Sequence, residues 1–371
     1  RMVSFCGIGM IMLKGKKVVL GVTGGIAAYK AAEFVRLLVK AEVDVHVAMT
    51  ENAQRFVTPL TFQTLSGNSV VTDSFTLLED AKIGHIALAD LAEMVVILPA
   101  TANIIGKIAN GIADDFLSTM VMATKAPVLF VPSMNVNMWE NKALQKNIQS
   151  LLRLGYHFLE PGEGELACHW YGKGRLPELN EVVEKMEDLL SLKDLKGEKI
   201  LITGGPTQEP IDPVRFITNR SSGKMGYALA KMAGRRGAEV ILVTGPTSLP
   251  PPRRGIRCVP VRSAEEMRKA VLTHLEGASV VIKAAAVSDY RPKMISQRKI
   301  KKGDSDTTLA LERTEDILGE IGKKKGKRIL VGFAAETEDF IANAKKKLKE
   351  KNLDLIVVND VKKPGAGFGL D

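Results

Sequence analysis

Two stretches of the chain begin in the same way. Lys14-Gly15-Lys16-Lys17 leads into VVLGVTGG (Val18 to Gly25), and Lys196-Gly197-Glu198-Lys199 leads into ILITGGPT (Ile200 to Thr207). Each is an apolar run of strand length closed by Thr-Gly-Gly, the start of a strand–turn–helix unit. Two such starts predict two nucleotide-type α/β domains in one polypeptide. At 371 residues and 45% hydrophobic content the chain is large and apolar enough for two cores.

In the first half, runs at Val18–Thr23, Val43–Thr50, Met94–Ala100, Val128–Ser133 and Tyr156–Glu160 predict strands between helical stretches. Ala31, Phe34, Val35 and Leu38 follow the i, i+3, i+4, i+7 spacing of a buried helix stripe. The second half repeats the scheme at Ile200–Thr203, Glu239–Thr244, Ser279–Ala284, Arg328–Phe333 and Leu353–Val358. Its first helix is expected to bury Met225, Ala228, Leu229 and Met232. Continuous apolar strands alternating with helices imply doubly wound α/β domains with mainly parallel sheets, each Rossmann- or flavodoxin-like. Residues 1–13 read as a disordered or packed extension, 14–192 as the first domain, 193–199 as a polar linker after a helix at Glu178–Leu192, and 200–371 as the second domain.

The net charge is +10, with lysines and arginines gathered in 298–302, 323–328 and 345–351. Such potential favours anionic partners, although any single lysine is more often part of a solvated face. Aromatics are 5% of the chain and absent from the basic runs, which argues against nucleic acid. Cys6, Cys168 and Cys258 lie far apart with no Cys-x-x-Cys pair, so a reducing, cytoplasmic setting is expected. The apolar stretch Val3–Leu13 is too short to span a bilayer, and no membrane partner is expected.

Neither Thr-Gly-Gly turn continues as G-x-G-x-x-G, which argues against a nicotinamide dehydrogenase. Ligands of doubly wound sheets sit at the carboxyl ends of the strands, where loop amides and helix N-termini attract anions. The polar clusters of the first half fall there: Gly24-Gly25-Ile26, Thr50, Pro99 to Asn103, and Pro132 to Trp139. The two glycines serve a tight turn as readily as an anion. His85, beside an apolar run, is of a kind more often structural, yet it titrates near neutrality. Cys168 lies in Gly164–Arg175, a glycine-rich stretch that reads as a flexible flap poorly suited to burying a thiol.

Together these residues carry a resemblance. Gly21–Lys30 (GVTGGIAAYK), His85 within Ile-Gly-His-Ile, Pro132–Trp139 (PSMNVNMW) and the Cys168 flap resemble the flavin-dependent cysteine decarboxylases. The likeness is greatest to the decarboxylase half of the bifunctional coenzyme A biosynthesis family, in which phosphopantothenoylcysteine decarboxylase is joined to phosphopantothenate–cysteine ligase. It covers residues 14 to about 190. The resemblance implies FMN, held by Gly24, Gly25, Ile26, Thr50, Asn103 and the Asp114–Ser118 region. The flavin would oxidise the substrate's cysteinyl thiol so that CO2 can leave, then return the electrons, giving 4'-phosphopantetheine. His85 is implied as base or carboxylate orienter, Asn135 as holder of the carboxylate or amide, and Cys168 as proton donor. A thiol with an ordinary pKa of about 8.5 is protonated at neutral pH, as a donor must be. The chain departs from the family at His169-Trp170, where glycine usually follows the cysteine, and at Ser133, usually alanine; a stiffer flap is expected.

In the second half, Gly204 to Arg215 is broken by prolines and predicts a shaped loop, which runs through Asn219-Arg220-Ser221-Ser222-Gly223-Lys224 into a helix. This is a plausible phosphate cradle without Walker A spacing, and equally a capped helix start. Asn219–Gly226, Ala284–Pro292 (AAAVSDYRP), Lys299–Lys302 and Gly332–Thr337 resemble the ligase half of the same family, over about 197 to 371. There CTP activates the carboxylate of 4'-phosphopantothenate as an acyl-cytidylate, and cysteine displaces CMP. The resemblance implies Asn219 at the acyl-cytidylate, Asp289 at nucleotide and Mg2+, and Lys299 at the nucleotide and in the cysteine step. Glu315, Asp316, Ile317, Leu318, Phe333, Lys347 and Lys351 are implied as CTP contacts. The family continues further past Asn359-Asp360, so a final sheet-edge element is expected to be missing. Homo-oligomers built from decarboxylase trimers and ligase dimers are also implied. The rival readings are a non-catalytic regulatory flavoprotein, a decarboxylase of a peptide's terminal cysteine, and prenyl transfer to flavin. His85, Asn135 and Cys168 together disfavour the first, and the other two leave residues 197–371 without a role.

Overall fold

The computed structural model describes residues 10–73, 84–165, 170–252, 255–302, 308–336 and 339–360. The chain divides into two compact units, 1–191 and 192–371. The first carries β1 (Lys17–Val22), α1 (Ala28–Lys40), β2 (Asp44–Met49), α2 (Pro59–Ser66), β3 (Val70–Val71), α3 (Gly84–Leu91), β4 (Met94–Ala100), α4 (Ala102–Ala109) and α5 (Phe116–Ala123). It continues with β5 (Val128–Pro132), α6 (Val136–Trp139), α7 (Lys142–Arg153), β6 (His157–Phe158), β7 (Gly162–Glu165), β8 (Tyr171–Arg175) and α8 (Leu179–Leu190). Six strands pair in parallel in the order β3-β2-β1-β4-β5-β6, and β7 and β8 form a separate antiparallel hairpin.

The central strands are buried on both faces, as a parallel sheet under two helix layers requires. On α1 the expected stripe is the observed one: Ala31, Phe34, Val35 and Leu38 are wholly buried. Leu13, which ends a short 3₁₀ turn at Met10–Leu13, packs in the same core as Val182, Val183 and Met186 of α8. That part of the N-terminal extension is therefore packed; residues 1–9 lie outside the described residues. The fifth expected strand shrinks from Tyr156–Glu160 to the two residues of β6.

The second unit carries β9 (Lys199–Gly204), β10 (Gln208–Pro210), β11 (Phe216–Thr218), α9 (Lys224–Arg235), β12 (Glu239–Thr244), β13 (Ile256–Pro260) and α10 (Ala264–Leu275). Then follow β14 (Val280–Lys283), β15 (Tyr290–Pro292), β16 (Leu311–Arg313), α11 (Ile317–Lys323), β17 (Ile329–Glu336), α12 (Phe340–Glu350) and β18 (Leu355–Asp360). Its parallel sheet runs β13-β12-β9-β14-β17-β18, and β10–β11 and β15–β16 are small antiparallel pairs. Numbered within each unit, both sheets have the order 3-2-1-4-5-6 of a doubly wound fold.

The buried face of α9 corrects the expectation from periodicity. Gly226, Ala230 and Ala233 face inward, while Met225 is 42% exposed and Ala228, Leu229 and Met232 are only half-buried. A Cβ on Gly226 would lie 2.6 Å from the Gly204 Cα, so this helix docks on strand backbone. Small residues meet at such an approach, and a pattern of large side chains cannot reveal it. The 193–198 linker is tied down within the second unit: Leu195 N–H donates to the Arg236 carbonyl, and the Arg236 guanidinium donates to both oxygens of Asp194 at 2.8 and 2.6 Å. No helix among the described residues is long and apolar enough to cross a membrane.

Candidate functional site

In the first unit, β1 and β4 are neighbours whose chains leave toward β2 and β5 on opposite sides, which makes their carboxyl ends the switch point of the sheet. One buried hydroxyl joins those ends. Thr23 Oγ1 donates to the Pro99 carbonyl at 2.6 Å and accepts the Thr101 N–H at 3.2 Å. Thr101 in turn caps α4, accepting from Ile104 N–H. Gly24 follows, and a Cβ there would stand 2.5 Å from the Asn52 Cβ, so only glycine lets the loop lie against the turn after β2. Gly25 is less constrained, with the Thr101 methyl 3.7 Å from where a Cβ would be. Ile26 is 60% exposed, Thr50 precedes the 3₁₀ turn Glu51–Arg55, and Asn103 is exposed in the first turn of α4. This compact glycine cradle at two helix starts fits the phosphate of a cofactor.

Asp114 and Asp115 converge on Lys107, at 2.7 and 2.9 Å from its ammonium. Asp115 also caps α5, accepting from Ser118 N–H at 2.8 Å while the Asp115 N–H donates to Ser118 Oγ. Burial pushes the Asp115 carboxyl up, but the Ser118 N–H, Lys107 and the Ser118 hydroxyl outweigh it and hold it below the ordinary range. Ser118 is 1% exposed, its hydroxyl committed to the cap; Asp114 is exposed.

His85 is the second residue of α3, and its buried Nδ1 has no hydrogen-bond partner among the described residues. A buried ring nitrogen left so is a place for a ligand to bond. Asn135 caps α6, its Oδ1 accepting the Asn137 N–H at 2.8 Å. The described parts of the glycine-rich stretch, in Gly162–Glu165 and Tyr171–Arg175, pair as antiparallel strands, with β8 laid along this segment. Met134 N–H donates to the Gly174 carbonyl at 3.0 Å, and a Cβ on Gly174 would meet the Met134 carbonyl oxygen 2.2 Å away. Its glycines thus allow close docking beside Asn135. Cys168 and His169 lie outside the described residues, between Glu165 and Trp170, which are described.

In the second unit, a cavity of about 370 Å³ is lined by Val287, Asp289, Tyr290, Arg313 to Leu318 and Lys351. Six expected nucleotide contacts share this wall: Asp289, Glu315, Asp316, Ile317, Leu318 and Lys351. Thr314 fastens the two sides together, its N–H donating to the Asp289 carbonyl at 2.9 Å and its hydroxyl to the Ser288 carbonyl at 2.6 Å. Asp316 caps α11 through Gly319 N–H and pairs with Lys351 at 2.7 Å. Burial pushes the Asp316 carboxyl up; Lys351, the Gly319 N–H and Lys283 outweigh it, and the group sits below the ordinary range. Lys299, Phe333 and Lys347 are not in the cavity wall. Among the described residues no three His, Cys, Asp or Glu side chains cluster to hold a metal ion.

Asn219 lies at the same end of the sheet, its side-chain amide donating to the Ala286 carbonyl at 3.1 Å. Lys299 is exposed on a loop whose placement depends on a residue that residue-type reasoning passed over. Asp212, with a fully buried side chain, accepts from Val214 and Arg215 N–H at 2.8 Å each and from Ile300 N–H at 3.1 Å. It binds the proline-bounded loop to the basic one. Burial pushes its carboxyl up, and the three N–H groups more than reverse this. Its partner Ile300 is 88 residues away, so no local signal marks it.

Comparison with known proteins agrees with the two-unit division. Residues 10–191 match the Flavoprotein family model, and 195–371 match that of the DNA/pantothenate metabolism flavoprotein C-terminal domain. The chain is 52% identical over 363 residues to the coenzyme A biosynthesis bifunctional protein CoaBC of Bacillus subtilis, covering 97% of this chain and 89% of that protein. It is 46% identical over 362 residues to the protein of the same name from Vibrio cholerae, covering 97% and 90%. A solved C-terminal domain of such a protein is 53% identical, covers 46% of this chain and 80% of its own, and superposes with a TM-score of 0.41.

Proposed function

The chain belongs to the family of coenzyme A biosynthesis bifunctional proteins, and from that premise we propose that it makes 4'-phosphopantetheine by two consecutive reactions, ligation in the second unit and decarboxylation in the first. The observation that carries the reading is the cavity wall of the second unit. Asp289, the Glu315–Leu318 stretch and Lys351 come from three separate parts of the sequence, and the ligase resemblance assigns all of them to the nucleotide.

In the ligase step the carboxylate of 4'-phosphopantothenate attacks the α-phosphorus of CTP. Pyrophosphate leaves and an acyl-cytidylate forms. The amine of cysteine then attacks the acyl carbon, and CMP leaves with its former bond electrons. Lys351 faces the cavity and can neutralise the departing pyrophosphate, the charge that grows in this step. Asp289 would share Mg2+ with the triphosphate, since that ion is usually held by one or two carboxylates together with substrate phosphates and water. Asn219 would hold the acyl-cytidylate, and Lys299 would assist at the amine, on the loop that Asp212 anchors.

In the first unit, FMN would sit in the Gly24-Gly25 cradle with Ile26, Thr50, Asn103 and the Asp114–Ser118 region, supplying reversible two-electron oxidation of the cysteinyl thiol. Asn135 orients the substrate carboxylate or amide. His85 offers its Nδ1, without a partner among the described residues, to the carboxylate or to a proton in transit. Cys168 donates the proton that completes reduction of the product. Decarboxylase trimers joined through ligase dimers are the proposed assembly, in a reducing cytoplasm. Apolar side chains left exposed near the cradle, Ile26 at 60% and Tyr29 at 53%, support the first contact.

The test supplies flavin-loaded protein with 4'-phosphopantothenate, cysteine, Mg2+ and either CTP or ATP. The expected products are 4'-phosphopantetheine, CMP, pyrophosphate and CO2, with CTP preferred. Folded, yellow protein that performs neither half-reaction overturns the proposal.

A further inference from the structure

Lys283 ends β14 in the middle of the second sheet, registered against Thr203 of β9 and Gly332 of β17, and is only 6% exposed. Val281, two residues earlier, lies in the apolar core beneath α10 and α11, so strand alternation puts the lysine stem on that side. The ammonium reaches Met267 of α10, and its one hydrogen bond among the described residues is to the Met267 sulfur at 4.0 Å. A thioether is a weak acceptor. Burial lowers this lysine's pKa to about 8, with Asp316 pulling it up and Lys351 pushing it down. These are the charged groups that act on it: Asp316 opening α11 and Lys351 closing α12, while α10, β9 and β17 present the uncharged Met267, Thr203 and Gly332.

Stability does not account for a lysine here, because apolar residues often replace buried charges at no loss. Electrostatics of the cavity does. Asp316 and Lys351 alone form a neutral pair in the cavity wall. An anion that drew Lys351 away would face an uncompensated carboxylate. With Lys283 charged, the three groups sum to one positive charge and Asp316 retains a cation. We propose that Lys283 is a specificity-determining residue of this cavity: its buried ammonium is the resident counter-charge of Asp316 and frees Lys351 to engage the phosphates of the nucleotide. The inference rests on the nucleotide reading above and adds a counter-charge that offsets one of the three acids of the wall, Asp289, Glu315 and Asp316.

It follows that a bound triphosphate favours the protonated lysine, so binding takes up a proton at alkaline pH and affinity falls as pH rises. A single linked proton limits the slope to about tenfold per pH unit. The experiment measures CTP and uncharged cytidine binding to the full chain by calorimetry between pH 7.5 and 9.5, where the triphosphate, with a last pKa of about 6, is already ionised. Wild type should lose several-fold in CTP affinity across that range and keep a flat cytidine response. Lys283→Met should melt no lower than wild type, bind cytidine as before and bind CTP about tenfold more weakly without the pH slope, a loss of the size expected for one linked charge. Lys283→Arg should restore CTP affinity and remain pH-independent. A Lys283→Met protein with wild-type CTP affinity and slope overturns the inference alone, as does equal weakening of CTP and cytidine. Wild type that binds cytidine but not CTP overturns the nucleotide reading and this inference together. If neither variant folds, a flat wild-type CTP profile overturns the inference and a falling one beside flat cytidine supports it.

Discussion

The two units share a strand order but not their connections. In the first, residues 23–27 take the chain from β1 to α1, with Gly24 pressed against Asn52. In the second, residues 205–223 do the same job between β9 and α9 and include the β10–β11 pair. A second pair, β15–β16, follows the fourth strand of that sheet and borders the cavity through Tyr290 and Arg313. A doubly wound sheet determines where a ligand can sit, at the carboxyl ends beside the switch point. The loops decide which ligand, a short glycine cradle in one case and an acid-bearing cavity bordered by the β15–β16 pair in the other.

The sharpest way to break the comparison is through the first helix of each unit. Phe34→Ala on α1 removes a wholly buried ring, and a loss of about 3–5 kcal/mol is expected from the shift of the denaturant midpoint. Gly226→Ala on α9 is the matching change where helix meets backbone. A methyl 2.6 Å from the Gly204 Cα should cost about 1–3 kcal/mol, measured in the same way, while a neutral result would show that α9 can tilt away. At the sites, Lys351→Met should weaken CTP binding about tenfold, as for the loss of one charged contact worth about 1.4 kcal/mol, and leave flavin absorbance unchanged. Gly24→Ala should do the reverse, lowering FMN retention through gel filtration while CTP binding stays.

The smallest effect is a pH dependence. Asp212 has a lowered pKa, so its contribution is present above the ordinary aspartate range and is lost as pH falls through the depressed folded value. Asp212→Asn should therefore flatten the acid limb of stability and loosen the Lys299 loop, read as proteolytic cleavage near residue 299. An unchanged acid limb would remove Asp212 from its bracing role.

Much of the fold was legible because buried parallel strands are continuous apolar runs. Met94–Ala100 and Glu239–Thr244 begin and end where that reading puts them. The short pairs β10–β11 and β15–β16 were not legible, since three-residue strands are too short to show a period. The short edge strand β3 and the β7–β8 hairpin escaped for like reasons. At the sites, Gly24, His85 and Asp289 could be found as chemical types at strand ends or within motifs. Thr23 and Asp212 could not, because their meaning lies in partners 76 and 88 residues away.

The duplicated Thr-Gly-Gly opening pointed, without any coordinates, to two α/β units and to the first strand of each. Glycine and an apolar run act locally, and local physics is written in order along the chain. Which face of α9 turns inward, which acid anchors the Lys299 loop and that Lys283 is buried were decided only in three dimensions. Close packing and unscreened charge depend on distance in space, and residues far apart in sequence supply both.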